Sequence, residues 1–305
     1  MTATEATPGS ACGIVALVGR ANVGKSTLLN ALLGEKVSIV SPVAQTTRTR
    51  IRGILTEPRG QLVFLDTPGV HRAAHDLGRV MNRVARASIE GVDVVLLVLD
   101  GSSPPREEDV GWVQRLARET IPFLMVLNQS DRPRQAHQEY RDAWAKLAAE
   151  RTATPPEWFI VSAQTGAGLS GLTDRLFRLV PVGPLLFPPD VLTDYPRKLN
   201  MADVIREKFF HVLKEELPHV LAVEIEDVNE GEDHWEARGT VFVQKSSQKG
   251  IVLGNKGRLL KKVLREAEKD LAEMYGRPVA LDVWVKVDPH WSRNFWMLKR
   301  LGYVE

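Results

Sequence analysis

A chain of 305 residues, 44% apolar and 26% charged, has the composition of a soluble globular protein and room for two ordinary domains. Its net charge of +2 excludes a uniformly basic surface, so any nucleic-acid face must come from charge segregated along the chain. A lone cysteine, Cys12, excludes an intrachain disulfide and fits a reducing compartment. Met1 to Ser10 is small and polar without the apolar core of a secretory signal, and no apolar run approaches membrane-spanning length. The expectation is a cytoplasmic protein with a flexible tail over residues 1–12.

The apolar run Gly13–Val18 predicts a buried strand, and Thr27–Leu33 predicts a helix. Between them Gly19, Arg20, Ala21, Asn22, Val23, Gly24, Lys25 and Ser26 fit the phosphate-loop pattern G-x-x-x-x-G-K-S/T, with Thr27 opening the helix. Glycines let backbone N–H groups turn inward as an anion nest, and the helix N-terminus adds its positive end. Lys25 would reach the β- and γ-phosphates, and the Ser26 hydroxyl would ligate Mg²⁺.

Further strands are predicted at Ile51–Leu55, Leu62–Leu65, Val94–Leu99, Phe123–Leu127 and Trp158–Val161. Helical patterns cover Leu77–Ile89, Glu107–Glu119, Gln135–Glu150 and Leu169–Leu179. This alternation implies a mostly parallel sheet with helices on both faces over residues 13–180. The turn Glu57-Pro58-Arg59-Gly60 adds a hairpin and one antiparallel edge. Asp66-Thr67-Pro68-Gly69 ends one strand, where the Asp can hold a Mg²⁺ water and the Gly69 N–H can meet a γ-phosphate. Asn128-Gln129-Ser130-Asp131 ends another, and a carboxylate at Asp131 can accept both N–H donors of the guanine edge, which adenine lacks. Ser162-Ala163-Gln164 closes the next and can offer a backbone N–H to guanine O6.

Proline-rich Pro181–Asp190 breaks every period, which places a linker over 181–196 and a second domain over 197–305. There the grammar is helix Asn200–Leu213, strands Val220–Glu226 and Trp235–Lys245, a short apolar helical turn, helix Arg258–Tyr275 and strand Val279–Val287. Glu224 to Glu236 holds no Lys or Arg, whereas Ala237 to Arg265 holds eight Lys and Arg and no acid, which predicts one positive face. Within the basic stretch, Gly254-Asn255-Lys256-Gly257 fits the G-x-x-G loop of KH domains, whose glycines admit a single-stranded backbone. Phosphate contacts are expected from Lys249, Asn255, Lys256, Arg258 and Lys261, with bases packed on Ile251 and Val252. Trp284, Trp291, Phe295 and Trp296 are expected to serve core and domain packing rather than a stacking platform.

Taken together, the phosphate loop with Asn22, Gln45-Thr46-Thr47-Arg48, Asp66-Thr67-Pro68-Gly69 and the C-terminal half resemble the Era family of translation-factor-related GTPases over nearly all of residues 13–305. The implied fold class is α/β: a P-loop GTPase domain followed by an α+β type II KH domain. The resemblance implies GTP and GDP as ligands and Mg²⁺ as cofactor, with Thr46 or Thr47 adding a ligand from the first switch. It implies K⁺ held by Asn22 beside the phosphates, in place of an arginine finger. It also implies the 3′ end of small-subunit (16S) rRNA and the small ribosomal subunit as partners, in rRNA processing and 30S assembly. A cytoplasmic monomer follows, with peripheral contact at the inner face of the cell membrane as the alternative location.

Two positions depart from common GTPase patterns. Gln129 stands where the family pattern N-K-x-D has lysine, which predicts nucleotide binding weaker by roughly 1 kcal/mol. Val70 follows Gly69 where many GTPases orient the attacking water with glutamine, so unstimulated turnover on the order of 10⁻⁴ to 10⁻² s⁻¹ is expected. Two rival readings remain: a phosphate-loop ATPase or kinase, and an RNA-binding scaffold with a vestigial nucleotide site. Asp131 argues against the first, and Lys25, Ser26 and Asp66 against the second.

Overall fold

Strand β1 (Ala11–Val18) lies inside a six-stranded sheet whose other strands are β2 (Ile51–Glu57), β3 (Gly60–Asp66), β4 (Val94–Asp100), β5 (Phe123–Asn128) and β6 (Glu157–Ile160). The order is β2-β3-β1-β4-β5-β6, and every pairing is parallel except the β2–β3 hairpin, where Glu57 faces Gly60. The protein is described by a computed structural model over residues 9–41, 48–70, 76–149, 156–215 and 217–304. It divides into two compact units. The first comprises Met1–Ser38, Arg50–Ala74 and Met81–Asp194; the second comprises Ile39–Thr49, His75–Val80 and Tyr195–Glu305.

In the first unit, alternate strand residues feed two cores, one per face. Val15, Leu17, Leu96, Val98 and Val126 pack under helices α1 (Lys25–Leu33) and α5 (Leu169–Leu179). Ala16, Val18, Leu97, Leu99 and Leu127 pack under α2 (Asp76–Ala87), α3 (Glu107–Leu116) and α4 (His137–Ala149). A parallel strand covered on both faces must be apolar throughout, which is why β4 reads as an unbroken run and is buried at every position.

The proline-rich stretch differs from the tether expected of it. Pro181 O accepts from Cys12 N–H at 2.8 Å, and Leu192 O accepts from Ile54 N–H at 2.8 Å. Buried Gln61 clasps the same stretch: its Oε1 accepts from Leu186 and Phe187 N–H, and its Nε2 donates to Phe187 O at 2.9 Å. Prolines and glycines prevent this segment from forming an element of its own, but they leave its carbonyls able to pair with the sheet edge.

The second unit is built on helix α6 (Arg197–Val212), a one-turn helix α7 (Leu217–Val220), strands β7 (Ala222–Glu230) and β8 (Trp235–Val243), helices α8 (Ser246–Leu253) and α9 (Arg258–Tyr275), and strand β9 (Val279–Val287). The sheet order is β7-β8-β9, antiparallel then parallel. One face packs Ile205, Phe209, Val263 and Leu271 against Val223, Val241 and Val283. Val220, expected to open a strand, instead closes α7, and an unexpected helix α10 (Phe295–Arg300) follows β9.

The aromatic tail divides. Trp291 is fully buried and donates from Nε1 to Val220 O at 3.2 Å. Trp284, Phe295 and Trp296 are 55%, 53% and 73% exposed, which overturns their expected place in the core. The period of two along β9 explains Trp284: it shares the outward face with Ala280, Asp282 and Lys286.

Arg48 is fully buried in this unit. Its guanidinium donates to the carbonyls of Leu221 (2.8 Å), Pro218 (3.0 Å) and His219 (3.3 Å) and to Tyr303 Oη (3.2 Å). Among the described residues no helix is long and apolar enough to cross a membrane.

Leu96 is fully buried at the middle of β4. Leu96→Ala is expected to destabilise the first unit by about 2–5 kcal/mol, seen as an earlier urea midpoint for that unit's transition.

Candidate functional site

The phosphate loop leaves β1 at the C-terminal edge of the sheet and enters α1, where loops after parallel strands collect. Gly24 adopts φ +92°, and a Cβ there would fall 2.5 Å from Asn128 Nδ2, so the position admits only glycine. Asn22 also sits in the left-handed region (φ 63°), which asparagine tolerates better than most residues. The turn itself therefore accounts for an asparagine here, whatever its side chain holds.

Lys25 is buried and donates to Arg20 O at 3.0 Å and Gly19 O at 3.3 Å. Burial pulls its ammonium down to about 8, against the attraction of Asp66. Asp66, fully buried at the end of β3, accepts from Ser26 Oγ at 2.6 Å and from Ser38 Oγ at 2.8 Å. This pair of hard oxygen donors fits a Mg²⁺ shell, with the hydroxyl as a direct ligand and the carboxylate within reach of a metal-bound water. Thr67 Oγ1 donates to Leu17 O at 2.8 Å, which fixes the start of the Asp66–Gly69 turn beside β1. After that turn, Val70 N–H donates to Gly19 O at 3.2 Å and Val70 O accepts from Ala21 N–H at 3.1 Å, so Gly69 lies against the phosphate loop. Gln45, Thr46 and Thr47 lie outside the described residues.

Asn128, at the end of β5, joins three segments: Nδ2 donates to Val23 O at 2.9 Å, and Oδ1 accepts from Ala163 N–H at 3.0 Å. Exposed Asp131 accepts from Ser162 Oγ at 2.5 Å, so its carboxylate is aimed by the loop after β6. The structure thus brings Asn128, Asp131, Ser162 and Ala163 together with the phosphate loop, and Gln164 is exposed beside them. A purine recognised here by Asp131 would reach the loop with its phosphates.

In the second unit, α8 and α9 meet at the G-x-x-G loop. Gly254 has φ +68° and ψ −172°, a combination essentially confined to glycine, and Lys256 is left-handed at φ 51°. Ile251, Asn255, Lys256, Arg258 and Lys261 are exposed, and Lys249 is half-buried. Arg258, Lys261, Lys262 and Arg265 line an open depression of about 440 Å³ with one acid, Glu266. Acids on β7 are instead paired within the unit: Arg197 holds Glu230 at 2.6 Å and Arg300 holds Glu224 at 3.0 Å. One expected contact is corrected. Val252 is fully buried in the core, because alternate sides of α8 face the sheet and solvent, so it offers no surface to a base.

Two family models match the chain. One, described as 50S ribosome-binding GTPase, covers residues 14–129, and a KH domain model covers residues 216–292. GTPase Era of Geobacter metallireducens is 39% identical over 295 residues, 96% of this chain and 97% of that protein. GTPase Era of Crocosphaera subtropica is 38% identical over 293 residues, 95% of this chain and 92% of the relative. The chain belongs to the Era family of GTPases. Its fold matches a crystal structure of Era in complex with MgGDPNP and nucleotides 1506–1542 of 16S ribosomal RNA, with a TM-score of 0.89 and 36% identity over 97% of this chain and all of that one. A GDP.AlF4⁻ complex of an Aquifex aeolicus Era variant matches with a TM-score of 0.88 at the same identity and coverage.

Against the Era pattern, Gln129 is the informative departure. It adopts φ 67°, donates from Nε2 to Asn22 O at 3.4 Å and accepts from Ser102 Oγ at 3.3 Å. The shorter amide therefore still spans from β5 to the phosphate loop, with a long neutral bond where the family lysine carries a charge. Ser38, which shares Asp66 with Ser26, carried no signal in the sequence, because an isolated serine belongs to no spacing pattern. Gln129→Lys is expected to raise GDP affinity about fivefold, roughly 1 kcal/mol, in calorimetric titration. Unchanged affinity would remove the bracing role.

Proposed function

We propose that this Era-family GTPase is a slow switch that binds the 3′ region of 16S rRNA and acts in processing that RNA and assembling the 30S subunit. The observation that carries the reading is how the chain is divided. Ile39–Thr49 and His75–Val80 belong to the unit that bears the G-x-x-G loop, and these stretches follow the phosphate loop and the Asp66–Gly69 turn. A γ-phosphate that orders the segment around Gln45–Arg48 or the region after Gly69 would bias the RNA-binding unit through its own chain.

Within the reaction, Lys25 and the Gly69 N–H meet the β- and γ-phosphates, and Asp131, beside the loop that Asn128 clasps, selects guanine. Ser26 and one of Thr46 and Thr47 ligate Mg²⁺ directly, with Asp66 acting through a water. When bound, Mg²⁺ neutralises charge that develops on the phosphate oxygens. Asn22 would hold K⁺ beside the phosphates, where the ion would supply positive charge in place of an arginine finger. Val70, apolar and nearly buried, orients no water, in keeping with slow turnover. Single-stranded RNA lies along Lys249, Ile251, Gly254, Asn255, Lys256, Gly257, Arg258 and Lys261. The protein acts as a cytoplasmic monomer, with peripheral contact at the inner membrane face as the alternative location.

Contact with the large subunit is a second reading, and the description of the model matched over residues 14–129 favours it. Pelleting the GTP-loaded chain with isolated subunits separates the two: retention by 30S particles alone supports the proposal, and retention by 50S particles alone rejects it. Reversing Lys256 and Arg258 together to Glu is expected to weaken binding to a 16S 3′-end oligonucleotide at least about 100-fold while GTP turnover stays within about twofold. Exchanging K⁺ for Na⁺ is expected to slow turnover about tenfold or more, and an indifferent rate would remove K⁺ from the site.

A further inference from the structure

The second residue of the phosphate loop is free to vary in the motif, yet here it is a buried arginine. Arg20 is 6% exposed, and its side chain turns away from the anion nest toward α3 and the end of β4. Nε donates to Asp109 Oδ2 at 3.0 Å, and Nη2 donates to Asp100 Oδ2 at 3.0 Å and to Ser103 Oγ at 3.1 Å. Asp109 is 1% exposed and opens α3 by accepting from Arg106 N–H at 3.0 Å; Tyr140 of α4 adds a third bond to the same oxygen at 3.2 Å. Asp100 is held in turn by Ser102 and Ser103 hydroxyls at 2.6 and 2.8 Å.

The backbone of the same residue faces the chemistry. Arg20 O is the nearer acceptor of the Lys25 ammonium, and its neighbours Gly19 and Ala21 make the paired bonds to Val70. One peptide therefore joins Lys25, the end of the Asp66–Gly69 turn and, through its side chain, α3 and β4. A guanidinium can fork to two carboxylates at once; an ammonium is a single point and cannot reproduce the geometry. A buried ion network of this kind is a poor device for stability alone, since packed apolar residues do as well.

We infer that Arg20 is a positioning residue for GTP hydrolysis: its buried pairs with Asp109 and Asp100 fix the phosphate-loop peptide against which Lys25 and Val70 are set. The inference rests on the phosphate loop holding the nucleotide as proposed above. It predicts a loss confined to phosphate recognition and turnover, because the guanine end is built by β5 and β6.

The test uses the full chain with Arg20→Gln, Arg20→Lys and Asp109→Asn. Two quantities are read: kcat and KM for GTP by phosphate release, and the ratio of GDP to GMP affinity by competition with a fluorescent GDP. A displaced loop costs up to about 100-fold in rate for a shift near 1 Å, so Arg20→Gln is expected to lose about tenfold or more in kcat/KM. Its GDP-to-GMP ratio should shrink about tenfold, because the β-phosphate is what the loop grips. Arg20→Lys should recover part of both, and Asp109→Asn should shift both in the direction of Arg20→Gln. Partial unfolding lowers GDP and GMP binding alike and leaves their ratio unchanged. An unchanged ratio in Arg20→Gln and Asp109→Asn overturns the inference; if Arg20→Gln does not fold, Asp109→Asn decides it. Loss of GTP turnover in the unsubstituted chain would instead bring down the underlying reading of the site.

Discussion

Asn128 bonds to the phosphate loop through one end of its amide and to the loop after β6 through the other. Both partners are backbone groups, so the clasp depends on where the chain runs rather than on which side chains decorate it. It forms because β1, β5 and β6 are parallel and end at one edge of the sheet. Burial on both faces fixes their register, since a slip of one residue would turn Leu96 or Val126 from one core to the other. The phosphate loop and the loop that carries Asp131 thus share one rigid frame. Gly24 is the cost of that closeness, because the Asn128 amide occupies the space a side chain would need.

Charge is used oppositely in the two units. In the first, Lys25, Arg20, Asp66, Asp100 and Asp109 are all buried, and each charge is opposed within a few ångströms. Burial, and to a lesser degree the nearby Arg20, depresses Lys25, and Asp66 is the main charge that opposes the shift. In the second unit the bases of the G-x-x-G loop and α9 stand in solvent, while the acids of β7 are matched by Arg197 and Arg300. Pairing the acids on the strand side leaves net positive charge on the helix side, although the chain as a whole is nearly neutral.

Much of this was legible because the motifs are local. A phosphate loop, a D-x-x-G turn and a G-x-x-G loop are contiguous, and helix α9 and strand β9 are continuous periodic runs, so their limits agree with the structure residue for residue. Contacts between distant positions were not legible. Nothing near Gln61 marks it as the clasp for Phe187, and nothing near Ser38 marks it as a partner of Asp66. The exposed face of β9 was misread for a related reason. Trp284 looks like core by composition, and only the phase of the strand, set by Val283 and Val285, assigns it outward. Val252 failed in the other direction, since a residue beside a binding loop can still be the one that anchors the loop's helix.

The division of the chain bears on how a nucleotide state could be transmitted. Ser38 is bonded to Asp66 in the first unit, and Ile39, its neighbour, lies in the core of the second. Ten residues on, Arg48 is buried among the carbonyls of Pro218, His219 and Leu221. A buried guanidinium satisfied by neutral carbonyls is expensive to desolvate, and its Nε has no hydrogen-bond partner among the described residues. For packing alone an apolar side chain would do as well. The arginine does something an apolar side chain does not: it fixes the chain directionally, through several bonds that must break together. Ile39 and Arg48 are thus both held by contacts of the second unit.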